Sequence, residues 1–233
     1  MRIRTTETSE DLPIYVINLD SRPDRWRLQR LQARVHRLKI HRVPAKDAFA
    51  GRRRFPKSTL TDGATGIWHS FDSLVSRLAE EGVRSAVVLE DDAILTPGFI
   101  GKARRLRDSA PPNVALIQLG FLDDSSWRPQ NSTMQNLKKV LRPRSRMRNL
   151  MARLTGSTTK SVGLKAGMHA VLIFPDRLIG VLPSLRPETP CSLPLDNALV
   201  NLSKTTPDQL LRAPRSLAFQ LPIRSDISWG RSR

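Results

Sequence analysis

Ala86-Val87-Val88-Leu89-Glu90-Asp91-Asp92 runs from an apolar segment of strand length straight into three acids. Apolar residues without alternation over such a length fit a strand covered on both faces, as in parallel sheets. In open α/β sheets ligands gather outside the carboxyl ends of the strands, which is where Glu90, Asp91 and Asp92 would then sit. Adjacent carboxylates repel one another unless a cation compensates them. Hard ions such as Mg²⁺ or Mn²⁺ take oxygen ligands and commonly bridge to a substrate phosphate. The stretch therefore points to a metal–diphosphate site; the plainer reading is a strand end whose acids face water or cap the next turn.

Outward from that strand the chain alternates strand and helix. Upstream, Pro13 to Asp20 reads as a first strand with polar residues at its end, and Pro23 suits the first turn of a helix. Leu28, Leu31, Val35 and Leu38 recur at helical spacing while Arg27, Arg30, Arg34 and Arg37 fall off the stripe, so an amphipathic helix with its leucines inward is expected. Ile40 to Val43 reads as a short strand, Gly51 to Lys57 as a basic loop, and Ile67, Phe71, Leu74, Val75 and Leu78 as the apolar stripe of a second long helix. Downstream, a helix is expected from Pro97 to about Arg107, and strands over Val114 to Leu119 and Ala166 to Phe174. A short helix over Pro175 to Leu182 and a further one opening at Leu195-Asp196 follow, and the end from Ala213 reads as mostly irregular. Between Asp123 and about Lys160 the periodicity is lost, and Arg142, Arg144, Arg146 and Arg148 alternate in a stretch that a compact domain keeps for function or leaves mobile. The pattern predicts an α/β fold in one domain over residues 1–233.

Composition sets the partners. The 233 residues carry 39 Lys+Arg against 21 Asp+Glu, a formal +18, which draws the protein to polyanions: nucleic acid, anionic lipid or phosphorylated substrates. Aromatic residues make up only 5%, which argues against a base-stacking surface and hence against nucleic acid. Cys191 is the single cysteine, so internal disulfides and cysteine-rich zinc sites are excluded, and a reducing compartment suits the count. Met1 to Glu10 is polar, so no secretory leader is expected, and no apolar run approaches the ~20 residues that span a bilayer. Contact with a membrane would be peripheral.

Several motifs then fall into a familiar order. Ile17-Asn18-Leu19-Asp20-Ser21-Arg22-Pro23-Asp24-Arg25 is followed by Gly63-Ala64-Thr65-Gly66 and by Leu89-Glu90-Asp91-Asp92. Leu119-Gly120, Gly167-Met168-His169-Ala170, Leu195-Asp196 and Ser225-Asp226-Ile227 come after them. In this order and spacing the chain, from about residue 13 to 228, resembles glycosyltransferase family 25. That group contains bacterial lipooligosaccharide galactosyl- and glucosyltransferases and the animal collagen galactosyltransferases.

The resemblance implies a GT-A-type, Rossmann-like fold with a mostly parallel central sheet flanked by helices. It also implies inverting transfer of a hexose from a UDP-sugar, assisted by a divalent cation, Mn²⁺ or Mg²⁺. Asp92 and then Asp91 are the expected metal ligands, and Glu90 is expected to hold the ribose or a metal-bound water. Asn18 and Asp20 are candidates for the uridine or ribose, and Arg22 and Arg25 for the diphosphate, since a guanidinium fork matches phosphate. The competing reading of these four is a capped helix start with ordinary surface arginines.

An inverting transfer needs one general base near the acceptor hydroxyl. Asp196 is the candidate, with a helix N-cap as its alternative role; Asp226 is a second acid, and His169 reads as a structural histidine. The family usually shows a Ser-His pair after the second glycine, whereas here Ser70 is followed by Phe71, and His69 lies one position earlier, about 100° round a helix. The acceptor class implied is a glycan or lipid-linked saccharide, and the charge favours the cytoplasmic face of an anionic membrane. The rivals are a basic nucleic-acid-binding protein and a transferase-like scaffold without activity.

Overall fold

The computed structural model describes residues 12–46, 48–121, 163–185 and 193–221. The polar start, the arginine-rich stretch after Asp123, Cys191 and Asp226 lie outside the described residues. β1 (Ile14–Asn18), α1 (Pro23–His36) and β2 (Ile40–Pro44) form a first β-α-β unit with β1 and β2 parallel. α2 (Ala48–Arg54) and α3 (Asp62–Glu80) lead to β3 (Ala86–Glu90), which pairs parallel with the other side of β1. β4 (Ala93–Leu95), α4 (Phe99–Asp108) and β5 (Leu116–Gly120) follow. Then come β6 (Ala170–Ile173), α5 (Pro175–Val181), a single 3-10 turn, α6 (Leu195–Thr205), β7 (Leu210–Arg212) and β8 (Ala218–Gln220).

The strands make one sheet in the order β2-β1-β3-β6-β5-β8-β4, with β7 alongside β5. Four of the seven pairings are parallel; β6 runs against both β3 and β5, and β4 against β8. The fold is thus mixed α/β with a helix-flanked sheet, as the alternating pattern predicts.

β3 shows why its sequence does not alternate. Ala86 and Val88 point into one core with Trp68, Phe71, Leu74, Val75 and Leu78 of α3, while Val87 and Leu89 point into a second with Phe99 and Ala103 of α4. Both faces are dry, so every position is apolar until the chain leaves the sheet at Glu90. α3 is the helix its stripe predicts, capped by Thr61, whose Oγ1 accepts from the Ala64 amide at 3.4 Å.

Three expectations are corrected. Part of the basic loop is helical, since α2 takes in Gly51 through Arg54 and the loop begins at Phe55. α2 lies so close to α3 that a Cβ on Gly51 would sit 2.6 Å from the Gly66 nitrogen, so glycine admits the approach. Secondly, the irregular end contains β8, which pairs with β4.

The third correction concerns α1, whose buried face is only partly its leucine stripe: Leu28 and Leu38 are half-buried, Leu38 against the second core. Its buried residues are Arg25, Gln29 and Ala33, whereas Leu31 and Val35 are exposed. The reason is β4, the last strand in the sheet order. Gln29 Nε2 donates to the carbonyls of Asp91 (3.0 Å) and Ala93 (2.9 Å), while Gln32 donates to Ala93 O at 2.8 Å and accepts from the Leu95 amide at 2.8 Å. The side-chain amides of α1 thus replace a neighbouring strand. Leaving those backbone groups dry and unpaired would cost more than exposing two aliphatic side chains.

Candidate active site

Sheet register assembles the acids. β1 and β3 are parallel with Ile17 opposite Glu90, so Asn18 and Glu90 reach the same edge of the sheet. β6 runs antiparallel to β3 with Ala170 opposite Leu89, and the Glu90 amide donates to the His169 carbonyl at 3.1 Å. Asp91 and Asp92 form the two-residue link from β3 to β4, and β8 places Gln220 opposite Ala93. Four distant segments therefore converge beyond one strand end, the position expected for a ligand site.

Glu90, Asp92 and His169 each offer a ligand atom, and these atoms lie within 4.8 Å of one another. His169 Nδ1 is 3.0 Å from Glu90 Oε2, and Asp92 Oδ2 accepts from Gln220 Nε2 at 3.2 Å. Asp92 Oδ1 and His169 Nε2 are buried without a hydrogen-bond partner. Polar atoms left dry in this way are uncommon, and at a cluster of two acids and an imidazole they fit a bound cation. Glu90 is the half-exposed member, so the cluster opens to solvent on its side.

The electrostatics agree with that geometry. Burial, then the neighbouring Glu90 charge, pushes the Asp92 carboxyl up to about 6. For His169 burial opposes protonation, but the hydrogen bond to Glu90 and the charges of Glu90, Asp92 and Asp196 outweigh it and raise its pKa. Among the described residues, the cationic groups that face these acids are the imidazole beside Glu90 and Arg25, whose Nη1 lies 3.9 Å from Asp92 Oδ2.

Asp91 lies apart from this group. Its Oδ2 accepts from Asn18 Nδ2 at 2.8 Å and its Oδ1 from Arg25 Nη1 at 2.9 Å, and all three side chains are buried. Asn18 also donates to the Arg22 carbonyl at 3.0 Å and accepts from Arg42 Nε at 2.8 Å. Arg42 pairs in turn with the exposed Asp20 at 2.6 Å. Arg22 forms an ion pair with Asp24 at 2.9 Å on the surface. Of the expected nucleotide contacts, Asp20 and Arg22 remain at the surface, while Asn18 and Arg25 are built into the wall behind the acids.

Asp196 sits in the first turn of α6 and is not its N-cap, a position held by Pro194. Its Oδ2 accepts from the Gly167 amide at 3.2 Å and its Oδ1 from the Asn197 amide at 2.9 Å. Gly167 is held at φ +83, in the left-handed region open to glycine. Gln118 of β5, wholly buried, donates to the carbonyls of Lys165 (2.7 Å) and Gly167 (2.6 Å) and accepts from the Lys165 amide at 2.9 Å. One side chain thereby fixes the segment that carries both His169 and the Asp196 contact. Trp68 Nε1 donates to Leu193 O at 2.9 Å and anchors the approach to α6.

Phe71, at the position of the family histidine, lies in the core under α3. His69 turns toward α2, with Nδ1 3.1 Å from the Ala50 carbonyl, and burial lowers its pKa. Ser70 Oγ donates to Gly66 O at 2.7 Å and accepts from the Lys46 amide at 2.8 Å.

Sequence reasoning read His169 as structural and did not single out Gln118, Gln220, Arg42 or Gln29. A lone amide inside the apolar run Val114 to Leu119 was the one visible signal for Gln118. His169 and Gln220 become neighbours of the acids only through antiparallel pairings that no local pattern encodes.

Comparison with known proteins agrees with the sequence motifs. No curated protein matches the chain. Among solved structures it is similar to a glycosyltransferase involved in the glycosylation of the major capsid of PBCV-1, at 10% identity over 91% of this chain and 94% of that one, with a TM-score of 0.46. It is also similar to mouse xyloside xylosyltransferase 1, at 9% identity over 86% and 84% of the two chains, with a TM-score of 0.42. Both likenesses are distant. Residues 11–176 match glycosyltransferase family 25, described as an LPS biosynthesis protein family. That match takes in well over half of the 233 residues, from the first strand through the acids to the start of α5, and the chain belongs to glycosyltransferase family 25.

Proposed function

We propose that this glycosyltransferase moves a hexose, galactose or glucose, from a UDP-sugar to a glycan or lipid-linked saccharide with inversion at the anomeric carbon. The observation that supports this most is the convergence of Glu90, Asp92 and His169 at the end of β3, with dry, unpartnered atoms on two of them. Glu90 and Asp92, with His169 beside them, are the residues that would hold a divalent cation, Mn²⁺ or Mg²⁺. Such an ion supplies charge neutralisation for a departing diphosphate. Asp91, proposed from sequence as a ligand, is read here as the acid that ties β3 to α1 through Arg25 and Asn18.

The remaining chemistry falls to the chain itself. Asp20 and Arg42 pair beside Asn18 at the end of β1, and Arg22 opens α1; we assign these part-exposed polar side chains to the ribose and phosphate oxygens. Asp196 is our candidate to accept the proton of the acceptor hydroxyl. Its carboxylate is oriented by the Gly167 and Asn197 amides, and its charge reaches His169. A GT-A-type reading of the fold accords with the sheet-edge position of the acids. The charge of +18 suits work at the cytoplasmic face of an anionic membrane, and no helix among the described residues is long and apolar enough to cross one.

Calorimetric binding of UDP with and without Mn²⁺, to the wild type and to Asp92→Ala, tests the proposal. Manganese-dependent binding that the substitution abolishes is expected. No binding by well-folded wild type would overturn it and leave a transferase-like scaffold.

A further inference from the structure

α1 exposes what a soluble helix ordinarily hides. Leu31 is 57% and Val35 72% exposed, and they are two of the three large apolar side chains so exposed among the described residues. They stand one turn apart and thus on the same face. Arg27, Arg30 and Arg34, all exposed, flank them on one side of the helix, and Arg37 follows at its end. The only acid of α1 is Asp24, at the opposite end and paired with Arg22. The outward face is therefore an apolar pair bordered by arginines that form no ion pair with another described residue. Core packing does not explain the pair, because the inward face is taken by Arg25, Gln29, Gln32 and Ala33.

We propose that this face of α1, built on Arg27, Arg30, Leu31, Arg34 and Val35, docks the protein onto an anionic lipid surface. Two features select that partner. Guanidinium groups beside aliphatic side chains match a bilayer interface, where head groups meet the cations and the acyl boundary takes the apolar residues. A second copy of the same chain, at +18, would bring like charge to the same face. Nucleic acid would satisfy the arginines but give Leu31 and Val35 nothing to bury against.

Docking would also place the site. Arg25, which holds Asp91, lies six residues before Leu31 on the same helix, roughly 9 Å along its axis. The sheet edge carrying the acids would then lie within reach of a head-group-linked acceptor. This last point rests on the proposed function; the docking itself does not.

The test is co-sedimentation of the full chain with phosphatidylcholine vesicles containing about a third phosphatidylglycerol, and with phosphatidylcholine alone, at physiological salt. Wild type should bind the first and not the second. Neutralising three arginines (R27Q/R30Q/R34Q) should weaken binding about a hundredfold, near fivefold for each charge at the surface. L31S/V35S should weaken it about tenfold and leave a residue of binding that high salt removes. Unchanged circular dichroism and melting temperature keep both variants interpretable, since the substituted side chains are exposed.

Failure of wild type to bind, or binding by both variants at wild-type strength, overturns the proposal. So does L31S/V35S binding the anionic vesicles at wild-type strength while R27Q/R30Q/R34Q does not, since charge alone would then account for the binding. UDP binding measured on the same samples separates this outcome from failure of the catalytic reading.

Discussion

Asn18 and Asp91, 73 residues apart in the chain, meet in a buried 2.8 Å hydrogen bond, and Arg25 closes the same carboxylate from its other oxygen at 2.9 Å. This knot joins β1, α1 and the end of β3. Replacing Arg25 by Met would leave a buried carboxylate held by an amide alone, and should cost about 3–5 kcal/mol in urea unfolding. Adding Asp91→Asn should recover a part of that loss. A double variant as unstable as the sum of the singles would show that the two side chains do not act as a pair.

Asp92 should make the protein without a cation less stable as pH rises. Its folded pKa of about 6 lies above the ordinary 3.8, so the folded state holds the proton more tightly. The contribution is intact below about pH 4 and lost as pH climbs through about 6. Asp92→Asn, which carries no charge, should therefore melt higher than wild type at pH 7.5, by about 5 °C, and equal it near pH 4. Scanning calorimetry at the two pH values checks this. Saturating Mn²⁺ should erase or reverse the gain.

Cation binding should release protons. The hydrogen bond and charge of Glu90 raise the His169 pKa, and Asp92 titrates near 6, so near pH 6 to 7 a cation entering the cluster would displace protons. Manganese titrations in buffers of differing ionisation enthalpy should give a positive proton release that grows from pH 7 to pH 6. His169→Gln should lower the release and the affinity together. A release unchanged in that variant would remove His169 from the ligand set.

Gly51 and Gly82 separate packing from backbone freedom. A methyl group on Gly51 would meet backbone atoms of Thr65 and Gly66 at 2.6 Å, whereas one on Gly82 meets nothing within 4 Å but sits at φ +71. Gly51→Ala should cost about 1–3 kcal/mol by forcing α2 off α3. Gly82→Ala should cost about 1 kcal/mol, from the left-handed backbone alone. Chemical denaturation of both variants distinguishes the two mechanisms.

Much of the fold was legible where one element's own pattern decided it. β3 is apolar because both its faces are covered, and α3 is amphipathic because one of its faces is. α1 departs from its pattern because periodicity records which face is apolar, not which face a neighbour needs. The unpaired edge of β4 needed amides, and Gln29 and Gln32 supplied them. The acids were visible as a cluster, but their separate roles were not. Asp91 and Asp92 are adjacent in sequence and differ in what converges on them: Asn18 and a close Arg25 contact for one, Gln220, the charges of Glu90 and His169, and a longer 3.9 Å approach of Arg25 for the other. Those partners come from pairings spanning up to 128 residues, which no window of sequence contains.

That span has a consequence for biosynthesis. β8 lies at the far end of the described chain, and only its pairing with β4 brings Gln220 to Asp92. While the chain is still being made, its acids exist for more than a hundred residues before the side chain that completes their setting. Contacts of such high order close late. The surroundings of Asp92 are therefore complete only once β8 has been made, and a chain cut short before β8 should leave the Asp92 carboxylate without its amide partner.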